Sequence, residues 1–190
     1  MTRFVGRAPE LRRLLEAWER AEQGAGQVVS VVGEAGLGKS RLVYEFMQSL
    51  MQQGGRYVEG SCFTYGEGIA YLPFLAIVRG LCGLAGSETE TAATAQLWQH
   101  VHTLALDAKV VVPYLQHLLT LPVEDDVVPT LSPELVRQRT VEALKTLLLA
   151  EVQKRPGVLI LEDVHWTTPP LKRCWRPWSR PWAGVRCCSS

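Results

Sequence analysis

Glycine, lysine and serine residues in the first quarter of the chain have the types and the spacing that binding of a polyphosphate requires. Residues 27–40 read QVVSVVGEAGLGKS and fit the pattern G-x-x-x-x-G-K-[ST], with Gly33, Gly38, Lys39 and Ser40 at the required positions. Glycines let backbone N–H groups come close to an anion, and the positive end of a helix dipole stabilises its charge. The pattern therefore predicts a loop that binds phosphate groups.

The residue types in this loop each have a chemical reason. The Lys39 ammonium would contact the β- and γ-phosphates of a triphosphate, and the Ser40 hydroxyl would be one of few protein ligands of a Mg²⁺ ion. We therefore expect ATP and Mg²⁺ as ligands, with Lys39 also serving catalysis. The predicted nucleotide-binding residues of the loop are Gly33, Glu34, Ala35, Gly36, Leu37, Gly38, Lys39, Ser40 and Arg41.

A strand before the loop and a helix after it would hold it in place. Residues 28–32 read VVSVV, an apolar run typical of a buried strand, and residues 41–53 have the apolar spacing of a helix. Further helices are expected over residues 95–121, interrupted by Pro113, and over residues 134–154, after an N-cap at Ser132. An earlier helix, which ends near residues 24–26, has Leu11, Leu14, Leu15 and Trp18 on one face.

Two carboxylates near residue 160 could supply the second half of a Mg-nucleotide site. Residues 158–161 read VLIL, an apolar run typical of a strand buried on both faces, and Glu162 and Asp163 follow it directly. The carboxyl ends of parallel strands are where α/β sheets bind their ligands. Together with Ser40, these two acids are the predicted metal-binding residues.

The composition is that of an ordinary globular chain. It has 190 residues, 47% hydrophobic and 21% charged, and its net charge of +1 gives no reason to expect a nucleic-acid or membrane partner. Because no apolar run approaches eighteen residues and the N-terminus lacks a signal-peptide pattern, we expect a cytoplasmic protein. The five cysteines form no C-x-x-C pair and are expected to be free thiols. His100 and His102, two residues apart, are expected on the surface and not at a metal.

Three short strings resemble a known family. F-V-G-R at residues 4–7, followed by E-L-x-x-L and then the phosphate loop, resembles the start of the AAA-type ATPase module of STAND signalling NTPases. The string C-x-x-Y-G-x-G-x-x-Y-x-P at residues 62–73 is similar to a segment of the modules in large bacterial regulators linked to nucleotide cyclase, kinase or LuxR-type domains. E-D-V-H-W at residues 162–166 resembles the string that follows the acidic strand in STAND modules.

The resemblance implies a fold, a function and roles for individual residues. The implied fold is α/β, a P-loop NTPase three-layer sandwich with a mainly parallel sheet. The implied function is ATP binding, and ATP hydrolysis where the module is active, as the nucleotide switch of a signalling or transcriptional regulator. Val5, Gly6 and Arg7 would then lie beside the adenine base. Glu162 would take the metal-side position, where the family usually has aspartate, and Asp163 would orient the attacking water.

The character of the sequence changes after Trp166. Residues 167–190 contain five basic residues and no acidic one, three of the six tryptophans, and neither helical nor strand periodicity. Because a neighbouring reading frame can encode the helix and strand with which the family continues, we expect a truncated or frameshifted product. Its ATP-binding domain would be residues 1–166, and residues 167–190 would be an aberrant, disordered tail. The sheet would then lack a strand beside the phosphate-loop strand, and unpaired backbone groups would make the product marginally stable.

Other functions remain open at this point. A nucleic-acid-associated AAA ATPase of origin-recognition type would carry a helix-turn-helix domain, and a small-molecule kinase would need an acceptor site and a lid. The sequence specifies neither, and the chain could also be a non-functional fragment. The partners expected for the leading interpretation are ATP or ADP, regulatory or effector domains outside this chain, and a second copy of the ATPase module. Nucleic acid and membrane are not expected as partners.

Overall fold

A computed structural model of the chain describes residues 6–61, 72–123, 127–162 and 183–188. The chain divides into two compact units, one of Met1–Tyr57 with Lys172–Ser190 and one of Val58–Leu171. Val5 and Asp163, which the sequence predicts at the functional site, lie outside the described residues.

The described residues form seven helices and four strands. In chain order these are α1 Ala8–Glu22, β1 Gln27–Val32, α2 Lys39–Gln52, β2 Tyr57–Ser61, α3 Leu72–Cys82, α4 Glu90–Thr103, α5 Ala108–Leu118, α6 Val127–Thr130, α7 Pro133–Lys154, β3 Val158–Glu162 and β4 Ala183–Cys188.

In the first unit α1 packs against both α2 and β1. Both helices bury residues three or four positions apart, which is the spacing that places side chains on one helix face. α1 therefore holds the two elements that flank the predicted phosphate loop. The buried side chains are Leu14, Ala17 and Trp18 of α1 and Leu42, Phe46 and Leu50 of α2.

The strand predicted before the loop is present as β1, but it is less buried than its valines suggest. Val29 and Val31 are half-buried, whereas Ser30 is exposed and Val32 is 61% exposed. The prediction of a fully buried strand is therefore wrong. The physical reason is that β1 belongs to a sheet of two described strands, which leaves part of each strand open.

The described part of the C-terminal segment is a strand. β4 pairs in parallel with β1, with Gln27 opposite Ala183 and Val32 opposite Cys188. The prediction that this segment contains no strand and leaves β1 without a neighbour is therefore wrong for residues 183–188. Ladder hydrogen bonds join main-chain N–H and C=O groups, so a segment can pair without an alternating side-chain pattern. The division at residue 166 stays a prediction.

The second unit contains α3 to α7 together with β2 and β3, which pair with each other. α5 packs against α4 and α7, and α3 packs against α4. The described chain is thus a mixture of helices and small sheets, one of them parallel, as expected for the α/β class. The fully buried side chains of the second unit include Ile77, Val78, Leu97, Val101, Val112, Leu115 and Leu147.

Polar side chains begin three helices of the second unit. The side chains of Thr89, Asp107 and Ser132 accept hydrogen bonds from N–H groups in the first turns of α4, α5 and α7. The N-cap predicted at Ser132, with Pro133 at the first helical position, is confirmed.

The helical region predicted over residues 95–121 is interrupted at a different place. α4 begins at Glu90, five residues before the predicted start, and Pro113 lies within α5. The interruption falls at residues 104–107, where Ala105 has a left-handed φ of 54°. A left-handed residue stops a helix directly, and this local geometry decides the break.

Two leucines on α7 test where the core of the second unit lies. Leu147 is fully buried, whereas Leu149 is 45% exposed. We expect Leu147→Ala to lower the free energy of unfolding by about 2–5 kcal/mol, because it leaves a cavity. Leu149→Ala should lower it by about 1 kcal/mol or less. Urea unfolding followed by circular dichroism measures both, and equal losses would contradict this assignment of the core.

Candidate functional site

The loop between β1 and α2 turns sharply through two glycines. Gly36 and Gly38 have φ angles of 82° and 73°, in the left-handed region that side chains disfavour. A Cβ at either position would meet no atom within 4 Å, so the glycines are required by the backbone and not by crowding. The Leu37 N–H donates to the Glu34 carbonyl oxygen at 3.4 Å and closes the turn. The result is a turn in which residues 34–38 are exposed.

Lys39 reaches back across this loop from the first residue of α2. Its ammonium donates to the carbonyl oxygens of Gly33 and Glu34, each at 2.9 Å. A lysine ammonium has three protons, and these two hydrogen bonds use two of them. The third is available to an anion held by the loop, so the geometry fits a phosphate ligand.

Ser40 follows on the same turn of α2. Its side chain is exposed, and among the described residues no hydrogen-bond partner of its hydroxyl is present. Gly38 is the N-cap residue of α2, and the first turn contains no acidic side chain. A free hydroxyl beside a helix N-terminus is suited to bind a metal ion that accompanies a phosphate.

Arg41 is the last residue of the loop that the sequence predicts to bind nucleotide, and that role stays a prediction. Its guanidinium forms an ion pair with Glu45, with 2.5 Å between Nη2 and Oε1. The guanidinium carbon also lies 5.6 Å from the centre of the Tyr44 ring, within the range of a cation–π contact. The structure therefore places this side chain along α2, one turn away from the loop.

The residues predicted beside an adenine base lie at the start of α1. Gly6 has a left-handed φ of 90°, and Arg7 is the N-cap residue, whose carbonyl oxygen accepts from the Leu11 N–H at 3.1 Å. Arg7 is half-buried and Gly6 is exposed. Their role toward a base stays a prediction.

Glu162 is the last residue of β3 and is half-buried, at the carboxyl end of the strand as the sequence predicts. The phosphate loop belongs to the first compact unit and Glu162 to the second. The assignment of Glu162 and Asp163 to metal binding and catalysis stays a prediction from the sequence.

A cluster of ionisable groups in the second unit was not found from the sequence. Glu151 of α7 is 5% exposed, and its Oε1 lies 2.7 Å from Nε2 of His100 on α4. This contact is an ion-pair distance without the alignment of a hydrogen bond, since His100 Nε2 has no hydrogen-bond partner among the described residues. The expectation that His100 lies on the surface is wrong, because its side chain is only 20% exposed. The helical spacing of Glu151 from Leu147 and Leu148 could have indicated its burial.

Cys82 lies near this cluster at the end of α3. It is a free thiol, as predicted. Burial, and to a lesser extent the charge of Glu151, raises its pKa to about 12. Cys82 therefore stays protonated at neutral pH and is a poor nucleophile. The described residues contain no group of three or more His, Cys, Asp or Glu side chains arranged for a metal ion.

Two arginines near the start of α7 lie on exposed surface. Arg137 pairs with Glu134 and Arg139 with Glu142, each at 3.2 Å. Within the described part of the chain, no helix is long and apolar enough to span a membrane.

A strand, a glycine loop and a helix that opens with Lys39 and Ser40 define a P-loop nucleotide-binding protein. The chain belongs to the AAA ATPase domain family, whose model matches residues 3–170. This match supports nucleotide binding, and members of the family generally bind ATP with Mg²⁺.

One curated protein is similar along most of the chain. The uncharacterized protein R02095 of Rhizobium meliloti (strain 1021) is 28% identical over 173 residues, which are 87% of this chain and 16% of that protein. The chain therefore spans only a small part of the length of this relative. No solved structure matches the chain.

Substitution of Gly38 tests the conformation of the loop, and substitution of Gly80 outside the loop is the comparison. We expect Gly38→Ala to lower the free energy of unfolding by about 1–2 kcal/mol, because a Cβ is strained at a left-handed φ. Gly80 lies inside α3, and a Cβ there would approach Val58 Cγ1 at 3.9 Å, an ordinary contact. Gly80→Ala should therefore raise the same free energy, by up to about 1 kcal/mol. Chemical unfolding curves compare the two variants, and equal effects would contradict the left-handed loop.

Proposed function

We propose that this chain binds Mg-ATP at residues 33–41 and acts as the nucleotide switch of a signalling or transcriptional regulator of the STAND type. The observation that carries the proposal is the Lys39 ammonium, fixed on two carbonyl oxygens of an open loop at a helix N-terminus. Such a helix start supplies backbone donors and a favourable dipole to a polyphosphate. The family match supports the nucleotide part of the proposal.

The chain's own residues would act mainly by positioning the phosphate groups of ATP. Backbone N–H groups of the loop hold the phosphates, Lys39 neutralises charge on the β- and γ-phosphates, and the Ser40 hydroxyl binds the accompanying cation. Bound Mg²⁺ would draw off negative charge that develops on the phosphate oxygens. Glu162 and Asp163 keep the metal-side and water-orienting roles proposed from the sequence.

The switch part of the proposal rests on the length of the relative and on the sequence resemblance. In R02095 of Rhizobium meliloti the matched region is 16% of the protein, so it is a module of a longer chain there. We propose that regulatory or effector domains respond to the nucleotide state, and that Val5, Gly6 and Arg7 contact the base. The three-layer sandwich, the cytoplasmic location and self-association through the module belong to the same proposal, as does the change of frame after Trp166.

The first experiment measures nucleotide affinity. A fluorescent ATP analogue is titrated into the 190-residue chain with Mg²⁺, and into Lys39→Ala and Lys109→Ala. Loss of the Lys39 ammonium removes charge-assisted hydrogen bonds, so Kd should rise by about tenfold or more. Lys109 lies exposed on α5 and is a control of equal charge whose removal should leave Kd unchanged. Equal binding by wild type and Lys39→Ala would remove the proposed site, and so would a wild type that binds nothing.

The second experiment separates binding from hydrolysis. We expect Asp163→Asn to bind the analogue as the wild type does but to release phosphate at least about a hundredfold more slowly, because general-base and orienting residues contribute such factors. Phosphate release is measured for the wild type, for Asp163→Asn and for Glu162→Gln. If wild type binds nucleotide and Asp163→Asn hydrolyses it at the wild-type rate, the assigned role of Asp163 is wrong while the binding site stands.

The competing functions give distinct results in the same preparations. A salt-dependent affinity for DNA would favour an origin-recognition type of ATPase. Turnover that depends on an added acceptor would favour a kinase. Neither property is expected, since the net charge of +1 gives no reason to expect a nucleic-acid partner and the sequence specifies no acceptor site.

A further inference from the structure

Arg41 stands directly after the lysine and serine of the phosphate loop, yet its charge is turned away from the loop. Glu45 lies one helical turn further along α2 and holds the guanidinium in an ion pair, with side chains 34% and 24% exposed for Arg41 and Glu45. The Tyr44 ring lies beside the same guanidinium. These two contacts hold the side chain of an arginine whose backbone belongs to the first turn of the helix.

This arrangement is electrostatically unfavourable for the helix alone. A cation in the first turn opposes the helix dipole, and an i, i+4 pair is weaker when the basic residue precedes the acidic one. The first turns of α1, α4 and α7 each carry a glutamate, whereas the first turn of α2 carries Lys39 and Arg41 and no acid. An anion bound at the start of α2 would make the position of Arg41 favourable.

Helix geometry also favours movement toward the loop. Side chains on an α-helix tilt toward its N-terminus, so the preferred direction of Arg41 is back toward the loop, and the pair with Glu45 holds it in the other direction. The charged side chains of residues 33–45 are Glu34, Lys39, Arg41 and Glu45, two of each sign. Release of Arg41 from Glu45 would let its positive charge move next to the loop. A planar guanidinium binds phosphate oxygens in two-pronged fashion.

We propose that Arg41, Tyr44 and Glu45 form a latch, in which Glu45 and Tyr44 hold the Arg41 guanidinium in reserve and nucleotide phosphates capture it. The proposal rests on nucleotide binding at the loop and names a regulatory step in that binding. Phosphate replaces the Glu45 carboxylate as the partner of Arg41, so each bound nucleotide must break one half-buried ion pair. Glu45 therefore lowers the affinity of the site, and a change that disturbs Glu45 raises it.

The test is a double-mutant cycle in which Kd is measured by titration of the fluorescent ATP analogue at fixed Mg²⁺. The salt concentration is about 0.15 M, so that charges farther apart than the screening length contribute little to Kd. Because an ion pair that still touches solvent on both sides is weak, Glu45→Gln should lower Kd by about two- to fivefold. Arg41→Ala should raise Kd by about tenfold, the effect of losing a charge-assisted contact. Adding Glu45→Gln to Arg41→Ala should change Kd no further.

Three controls make the result specific. Glu142→Gln breaks the exposed Arg139–Glu142 pair on α7, at 3.2 Å, and should leave Kd unchanged. Tyr44→Leu removes the ring from the guanidinium and should lower Kd in the same direction as Glu45→Gln. Circular dichroism of every variant shows whether its helix content is retained. If Glu45→Gln unfolds, Tyr44→Leu takes its place in the cycle.

Two outcomes would overturn the latch while leaving the nucleotide site intact. If wild type binds and Lys39→Ala does not, but Glu45→Gln and Tyr44→Leu bind like wild type, Arg41 is not held in reserve. If Glu45→Gln lowers Kd equally in the Arg41→Ala background, the Glu45 carboxylate weakens binding by repelling the phosphates directly and not by holding Arg41. A wild type that fails to bind nucleotide removes the proposed function first, and the latch with it.

Discussion

The hydrogen bonds from one ammonium group hold the candidate site together. Lys39 begins α2, and by donating to the carbonyl oxygens of Gly33 and Glu34 it ties the start of that helix to the end of β1. Left-handed glycines would otherwise allow the intervening turn many conformations. A single charged side chain therefore gives the loop its shape and places positive charge at its centre.

Packing behind the loop makes this geometry possible. α1 contacts both β1 and α2, and both helices bury large side chains, Trp18 on α1 and Phe46 on α2. An apolar contact of this kind fixes the angle at which α2 leaves the loop, because close-packed side chains resist displacement. The exposed loop residues contribute little to that core, so the chemistry of the loop is supported by residues that never touch a ligand.

The charges next to the loop are balanced by pairs that lie along the helix. Arg41 is held by Glu45 and Tyr44, and its charge is kept away from the loop while that pair persists. In the second unit, a contact between ionisable groups lies in a more buried setting, where Glu151 of α7 meets His100 of α4. A buried carboxylate needs a polar partner, whereas a pair that still touches solvent, such as Arg41–Glu45, is weak enough to exchange for another anion.

Local sequence determined the P-loop, the start of α7 at Ser132 and the strand that ends at Glu162, because each depends on backbone preferences and on neighbours within a few residues. Only the tertiary structure decided the contacts made across elements. Spacing along the chain could not show that β4 pairs with β1, because ladder bonds are made by the main chain of segments about 150 residues apart. Nor could it show that His100 meets Glu151, or that Arg41 turns toward Glu45, since each side chain's direction is set by the charges and the space around it.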